Sequence, residues 1–441
     1  MLLLAIAVLP LCACFIEPTV ASREAIEESL AQHEGEYLGY KYVASYLQDY
    51  GIGLFDQRKM RNAELRVLSF FAYELPPIKE IAKNTTLLFL EYFYDEIDRT
   101  DEEAVTDAIL KCYMASLGDR YAVYRNDAES DDYHTDMSGS FVGIGVEVNY
   151  TEENRILVVK VIDGSPAEEA GILAQDYITA VNGVRVEEVG YAASVNLIRG
   201  EEGTDVEITL SREGKELTVV ATRRRVVEAL VGWDINDEKI GYIEITGFQG
   251  LPNEEHRTAA QFKAALEALL EQDVRGIIFD VRDNPGGYLS SVIEVLDCFV
   301  PKNTPIVSYA YKGETPTFEL ATDDDTISVP VVVLCNENTA SAGELFTAAI
   351  RDYREMGLLK ATIVGKTTYG KGVMQSEFSL SQNGSSSIIF TTAFYNPPSG
   401  ANYDGEGITP DVEAELEEDF DTQLASAIFE LKLLIAGIYT H

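Results

Sequence analysis

The sequence predicts an α/β protein with an N-terminal helical segment and a small strand-rich module inserted between that segment and the α/β part. Three observations carry this expectation. From about Val227 onward, short apolar runs alternate with stretches of helical spacing. Between about Ser138 and Val226 the pattern changes to short alternating strands punctuated by turn residues. Ahead of both, Leu87 to Gly118 place apolar residues three and four apart, as a helix needs to bury one face.

In chain order the division is residues 1–17 as a leader, 18–137 as a helical region, 138–226 as the inserted module and 227–441 as the α/β domain. Met1 to Ile16 are apolar apart from one proline and two cysteines, and too short to span a bilayer as a mature helix, so they read as the h-region of an export signal. Leu11-Cys12-Ala13-Cys14 also resembles a bacterial lipobox, which predicts membrane anchoring through lipidation of Cys14. No Lys or Arg precedes the apolar run. A lipoprotein, an ordinary signal peptide and an uncleaved anchor therefore all remain open, and each puts the protein outside the cytoplasm. Glu17 to about Lys79 carry acidic helical stretches and no motif. In the next segment, Thr100 with Glu103 offers a helix start.

In the inserted module, Ile156–Val159, Tyr177–Val181 and Val206–Leu210 read as strands, and Asn182-Gly183 as a tight turn. In the last part, Ile240–Ile245, Gly276–Asp280 and Val331–Leu334 are apolar strand candidates. His256–Leu270 and Tyr288–Phe299 are the helices between them, which predicts parallel pairing.

The chain has 441 residues, 46% of them hydrophobic, enough to bury a large core divided into two or three domains. A formal net charge of -40 argues against nucleic-acid partners, because a polyanion repels phosphates. The acidic runs, such as Asp101-Glu102-Glu103, read as solvated surface. Cys112, Cys298 and Cys335 are odd in number and sit in apolar surroundings, which reads as buried thiols with no disulfide framework and no metal site. No cofactor motif is present.

The chemistry concentrates at two places. The apolar run ending at Leu334 leads into Thr339-Ala340-Ser341-Ala342-Gly343-Glu344, and Ala342 to Asp352 has helical spacing, so Ser341 falls at a strand-to-helix junction. Small neighbours let a carbonyl approach a serine hydroxyl, and the backbone N–H after it can face a developing oxyanion. Thirty residues on comes Tyr369-Gly370-Lys371-Gly372-Val373-Met374-Gln375. The histidines His33, His134, His256 and His441 lie in polar stretches or at the terminus, and neither a G-x-S-x-G elbow nor an S-x-x-K or H-E-x-x-H motif occurs. Lysine is the better base. It has to be neutral to act, which means bringing its pKa from about 10.4 to roughly 7–8 at a cost on the order of 4 kcal/mol. Lys371 lies between two glycines, Gln375 can orient the amine, and Lys366 competes for the same role.

Several motifs in order resemble the C-terminal processing, or tail-specific, peptidases. Asp280 to Gly287 is similar to the family's D-(L/V)-R-x-N-P-G-G, Thr339 to Glu344 to its A-S-A-x-E, and Gly370 to Gln375 to its G-K-G-x-x-Q. Pro398-Ser399-Gly400 and Gly407 to Val412 are similar to its P-S-G and G-I-x-P-D-V, and Leu117 to Tyr121 with Phe141 to Val146 to its entry into a PDZ domain. The resemblance covers roughly residues 80–430. It implies a crotonase-like catalytic core with the PDZ domain inserted, Ser341 as nucleophile, Lys371 as general base and Gln375 positioning the lysine. It also implies an oxyanion hole from Ala342 and one of Gly286 or Gly287. In the PDZ domain, Gly143, Ile144, Gly145 and Val146 would hold a terminal carboxylate while an extended peptide adds as a strand.

The function so implied is a serine endopeptidase that binds the free C-terminus of protein or peptide substrates and cleaves nearby. Three departures stand out: Arg120 replaces a more usual proline, Thr339 replaces serine, and the Ser341–Lys371 interval is longer, which predicts an enlarged loop over Arg354 to Ala361. The alternative class is a non-catalytic PDZ scaffold for protein tails; a hydratase of the crotonase fold lacks a CoA-binding signal.

Overall fold

The computed structural model describes residues 39–438 apart from 152–154, 163, 228, 251–256, 325, 381–383 and 418–419. The expected leader, Cys14, His33, His256 and His441 lie outside the described residues. Two compact units emerge: residues 135–229, and the rest of the chain.

The larger unit begins with α1 (Gly39–Gln48), α2 (Gln57–Phe70), α3 (Ile78–Tyr92), α4 (Glu102–Ala115), β1 (Val123–Arg125) and most of α5 (Asp127–Met137), whose last three residues belong to the smaller unit. The start of α4 differs from the Thr100–Glu103 expectation. Asp101 is the N-cap, its Oδ1 accepting from the N–H groups of Glu103 and Ala104, while Thr100 turns back to Asp98. A carboxylate there also meets the positive end of the helix dipole. The helices α1–α4 share a core with Ile388 and Phe390.

The smaller unit holds β2 (Ser140–Gly143), β3 (Val146–Tyr150), β4 (Ile156–Val161), α6 (Pro166–Glu169), β5 (Tyr177–Val181), β6 (Val184–Arg185), α7 (Val186–Ile198), β7 (Asp205–Arg212), β8 (Lys215–Thr222) and β9 (Arg224–Val227). Its main sheet runs β3-β4-β5-β7-β8, with β6 on β5, and β2 pairs with β9. Asn182 and Gly183 both take positive φ, as a two-residue hairpin turn of the primed type requires.

The larger unit resumes with β10 (Val231–Ile235), β11 (Ile240–Ile245), α8 (Thr258–Leu270), β12 (Gly276–Asp280), α9 (Leu289–Leu296), β13 (Pro305–Tyr311), β14 (Thr317–Leu320), β15 (Val331–Cys335), α10 (Ala342–Glu355), β16 (Ala361–Gly365), β17 (Val373–Ser379), β18 (Ser387–Asn396), β19 (Val412–Glu413) and α11 (Thr422–Ile435). One sheet runs β10-β11-β12-β15-β16-β19, parallel from β11 onward as the strand–helix alternation predicts. Every residue of β12, β15 and β16 is buried, because helices cover both faces. Alternate residues divide between the two layers. Ile277, Phe279, Val331 and Val333 face a core shared with α8, α9 and α10, and Ile278, Val332 and Leu334 face α11. A second sheet runs β1-β18-β13-β14, with β17 on β18.

The enlarged loop expected over Arg354 to Ala361 is not there. Helix α10 runs to Glu355 and β16 starts at Ala361. The turn is short because Gly357, at φ 75°, closes the helix with paired bonds: Gly357 N–H to Arg354 O and Leu358 N–H to Tyr353 O. This is the Schellman pattern. Arg354 to Ala361 therefore form a short helix-to-strand turn. Among the described residues, no helix is long and apolar enough to cross a membrane.

Phe279 is fully buried in the middle strand and packs against Phe262, Phe299 and Phe346. Phe279→Ala is expected to lower unfolding stability by about 3–5 kcal/mol, read from the midpoint of a urea titration; an unchanged midpoint would contradict this packing.

Candidate active site

Ser341 sits at the N-cap of α10, just past the carboxyl end of β15, where an apolar strand must give way to a helix. Its backbone has φ 55° and ψ -115°, a strained conformation for a residue with a side chain. The side chain is fully buried. Gly286 explains part of the constraint: a Cβ there would lie 2.7 Å from Ser341 Cβ and 3.0 Å from Ala342 N. Only glycine, itself at φ 108°, fits.

The Asp280–Gly287 segment is tied to the serine loop at several points. Thr339 Oγ1 donates to Val281 O at 2.7 Å, Ala340 N to Asn284 O at 2.9 Å, and Asp283 N to Asn336 Oδ1 at 2.9 Å. The base of the segment is anchored by Arg282, whose guanidinium donates to both oxygens of Asp280 and reaches Asp421. Burial works against ionising Asp421, yet its bonds from Arg282 hold the carboxyl below the usual range.

Glu344, one turn into α10 and fully buried, joins this assembly to the lysine loop. Its Oε2 accepts the backbone N–H of Ser341 at 2.9 Å and of Lys371 at 2.7 Å. Its Oε1 accepts Gly370 N–H and Thr368 Oγ1, each at 2.6 Å. Burial pushes this carboxyl above its ordinary value while the four donors pull it down. With donors on both oxygens, a carboxyl proton would have no acceptor, so the arrangement suits the carboxylate. A second tie runs through two tyrosines. Tyr395 donates its hydroxyl to Lys371 O at 2.8 Å, and the Tyr403 hydroxyl lies 3.1 Å from that of Tyr395 and 3.4 Å from Ser341 O.

Lys371 is almost fully buried, with Nζ over the Tyr121 ring at 4.5 Å. Its competitor, Lys366, bonds Glu415 and lies 3.7 Å from Glu413; the Glu415 bond raises its pKa, so it stays an ammonium. Gln375 lies on β17, its Nε2 donating to Thr391 Oγ1 at 3.2 Å. Its buried Oε1 has no hydrogen-bond partner among the described residues. His134 bonds Glu377 at 2.7 Å on an exposed part of α5. Burial pushes the thiols of Cys335 and Cys112 up to about 12, which makes them poor nucleophiles.

Of the two glycines expected at an oxyanion hole, Gly286 already donates its N–H to Asn284 Oδ1 at 2.9 Å. In the smaller unit, Gly145 takes φ 80° against Ser165, Ile144 is buried, and Val146 begins β3, an edge of the main sheet.

Sequence reasoning named Ser341, Lys371 and Gln375 but gave Glu344 no role. The serine-to-glutamate spacing of a capping box was the available signal. Tyr121, Tyr395 and Tyr403 had none, since each reaches the site from a distant segment.

A family model for peptidase family S41 matches residues 239–414, and one for the PDZ domain matches residues 141–222. Carboxy-terminal processing protease CtpA of Bacillus subtilis (strain 168) is 32% identical over 325 residues, covering 74% of this chain and 67% of that protein. A probable CtpA-like serine protease of Staphylococcus haemolyticus is 31% identical over 340 residues, covering 77% and 65%. The chain thus spans about two thirds of the length of these curated relatives. The solved structure of a lipoprotein from Streptococcus agalactiae shares the fold, with a TM-score of 0.51 at 14% identity over 85% of this chain and 95% of that one.

Fold and sequence together define a serine-type peptidase that carries a PDZ domain. The chain belongs to the C-terminal processing proteases of peptidase family S41.

Glu344→Gln puts an amide N–H where the carboxylate accepts backbone donors. It is expected to lower stability by about 1–3 kcal/mol and peptide cleavage by about 100-fold or more, measured by denaturant titration and by fluorogenic turnover at 25 °C. Wild-type turnover would show that the shared carboxylate does not set the site.

Proposed function

We propose that this chain is a serine endopeptidase that captures the C-terminal tail of a protein through its PDZ domain and cleaves within it, using Ser341 and Lys371 as a catalytic dyad. The observation that carries this reading is the Glu344 carboxylate, whose single oxygen accepts N–H from both residues in a buried setting. A scaffold that only binds tails has no need of a strained, buried serine anchored to a buried lysine.

In the proposed course, neutral Lys371 takes the proton as Ser341 Oγ attacks the scissile carbonyl. The charge on the carbonyl oxygen is met by the N–H groups of Ala342 and Gly287, Gly286 contributing an absent side chain. Collapse expels the amine with a proton from Lys371, and water then hydrolyses the acyl-enzyme with Lys371 again as base. Burial favours the neutral amine. Gln375 Oε1 is a ready acceptor for the ammonium formed in transit. The catalytic part follows a crotonase-like plan. In the PDZ domain, the peptide adds along the β3 edge and its carboxylate meets the Gly143–Val146 backbone. An apolar leader of the kind an export signal carries supports a location outside the cytoplasm.

The substitutions Ser341→Ala and Lys371→Ala are each expected to abolish cleavage of a protein bearing a free C-terminal tail, while Lys366→Ala retains it within about 2-fold. Product is followed by mass spectrometry, with circular dichroism to confirm folding. Amidating the tail is expected to raise KM. Turnover by Lys371→Ala at the wild-type rate would remove the dyad, and failure of a serine-reactive phosphonate to label Ser341 would favour a binding scaffold.

A further inference from the structure

Arg120 stands where the family resemblance leads one to expect proline, and its surroundings give it something to do. The guanidinium lies over two rings, with Cζ 4.7 Å from the centroid of Tyr121 and 5.2 Å from that of Tyr369. Nη2 donates to Gly370 O at 3.3 Å, one residue before Lys371. Lys371 Nζ lies 4.5 Å from the centroid of the same Tyr121 ring. Two cationic side chains therefore share one aromatic ring, and their charges lie at most about 9 Å apart.

A ring face attracts a cation, so Tyr121 by itself favours the ammonium form of Lys371, the form that cannot act as a base. Carboxylates on the neighbouring segments pull in the same direction. Glu344 accepts the Lys371 N–H, Asp404 accepts the Gly372 N–H at 3.1 Å, and Asp119 accepts the N–H groups of Tyr121 and Thr391. Among the described residues, the phenols of Tyr121, Tyr369, Tyr395, Tyr403 and Tyr73 also lie around the lysine loop or the carboxylates beside it. Arg120 opposes the carboxylates. Its charge is permanent, and the two rings with the Gly370 carbonyl hold it in place.

We propose that Arg120 is a positioning residue for the base: by sharing the Tyr121 ring with Lys371 it disfavours the ammonium and lowers the pH at which the peptidase becomes active. This rests on the reading of Lys371 as general base. At the separation set by the ring, and with partial screening by salt, the repulsion is worth about 0.5–1 pH unit.

The sign follows from the lysine titration. Activity rises with pH as Lys371 loses its proton, and removing a neighbouring cation stabilises the ammonium, so the rise moves to higher pH. The test is the pH dependence of kcat/KM on a fluorogenic peptide for wild type, Arg120→Gln and Arg120→Lys. The acidic limb of Arg120→Gln is expected to move up by about 0.5–1 unit, with a loss of about 3–10-fold below the limb that shrinks as the pH rises. Arg120→Lys is expected to stay near wild type. Raising the salt to 1 M is expected to narrow the gap between the wild-type and Arg120→Gln limbs. A limb for Arg120→Gln within 0.2 unit of wild type, or a loss equal at every pH, overturns the proposal. The Lys371→Ala variant separates the two claims: if it is inactive and the limb does not move, the dyad stands and the role of Arg120 falls; if it turns over normally, the dyad itself fails.

Discussion

One carboxylate organises the catalytic part of this molecule. Glu344 is the third residue of the helix that Ser341 opens, so its side chain reaches back to the serine N–H as a capping residue does. It differs from an ordinary cap in what else it holds. The same two oxygens take the N–H groups of Gly370 and Lys371 and the hydroxyl of Thr368. A buried carboxylate is costly unless its oxygens are bonded, and here the donors that offset the cost belong to the segments that must be brought together.

The rest of the architecture places that carboxylate. The parallel sheet β11-β12-β15-β16 carries the Asp280 segment and the serine loop out at the carboxyl ends of adjacent strands, where α/β folds present their functional loops. Full burial of β12 and β15 between two helical layers fixes where those loops start. Gly286 then determines how closely they approach, since its missing side chain is filled by Ser341.

Much of this was legible in the sequence. Uninterrupted apolar strands separated by helical spacing gave the parallel sheet, and the small residues around Ser341 together with the glycines flanking Lys371 marked two segments that the fold brings together on Glu344. The parts that were not legible are those where local pattern and tertiary contact compete. Asp101 captured the start of α4 because a carboxylate caps better than the threonine before it. The longer Ser341–Lys371 interval pointed to a loop over Arg354 to Ala361, yet one glycine closes the helix within them. The bond from Gly286 N–H to Asn284 Oδ1 was likewise hidden, since no spacing rule picks out that side chain.

The contacts around Lys371 also come late in the chain. Gly405 donates to Gly370 O, Ile408 exchanges bonds with Thr368, and Tyr403 bridges toward Ser341. A ribosome that has just made Ser341 and Lys371 has yet to make these residues. The growing polypeptide therefore carries both side chains before the frame that aligns them, and that frame can close only once residues 403–408 have left the ribosome.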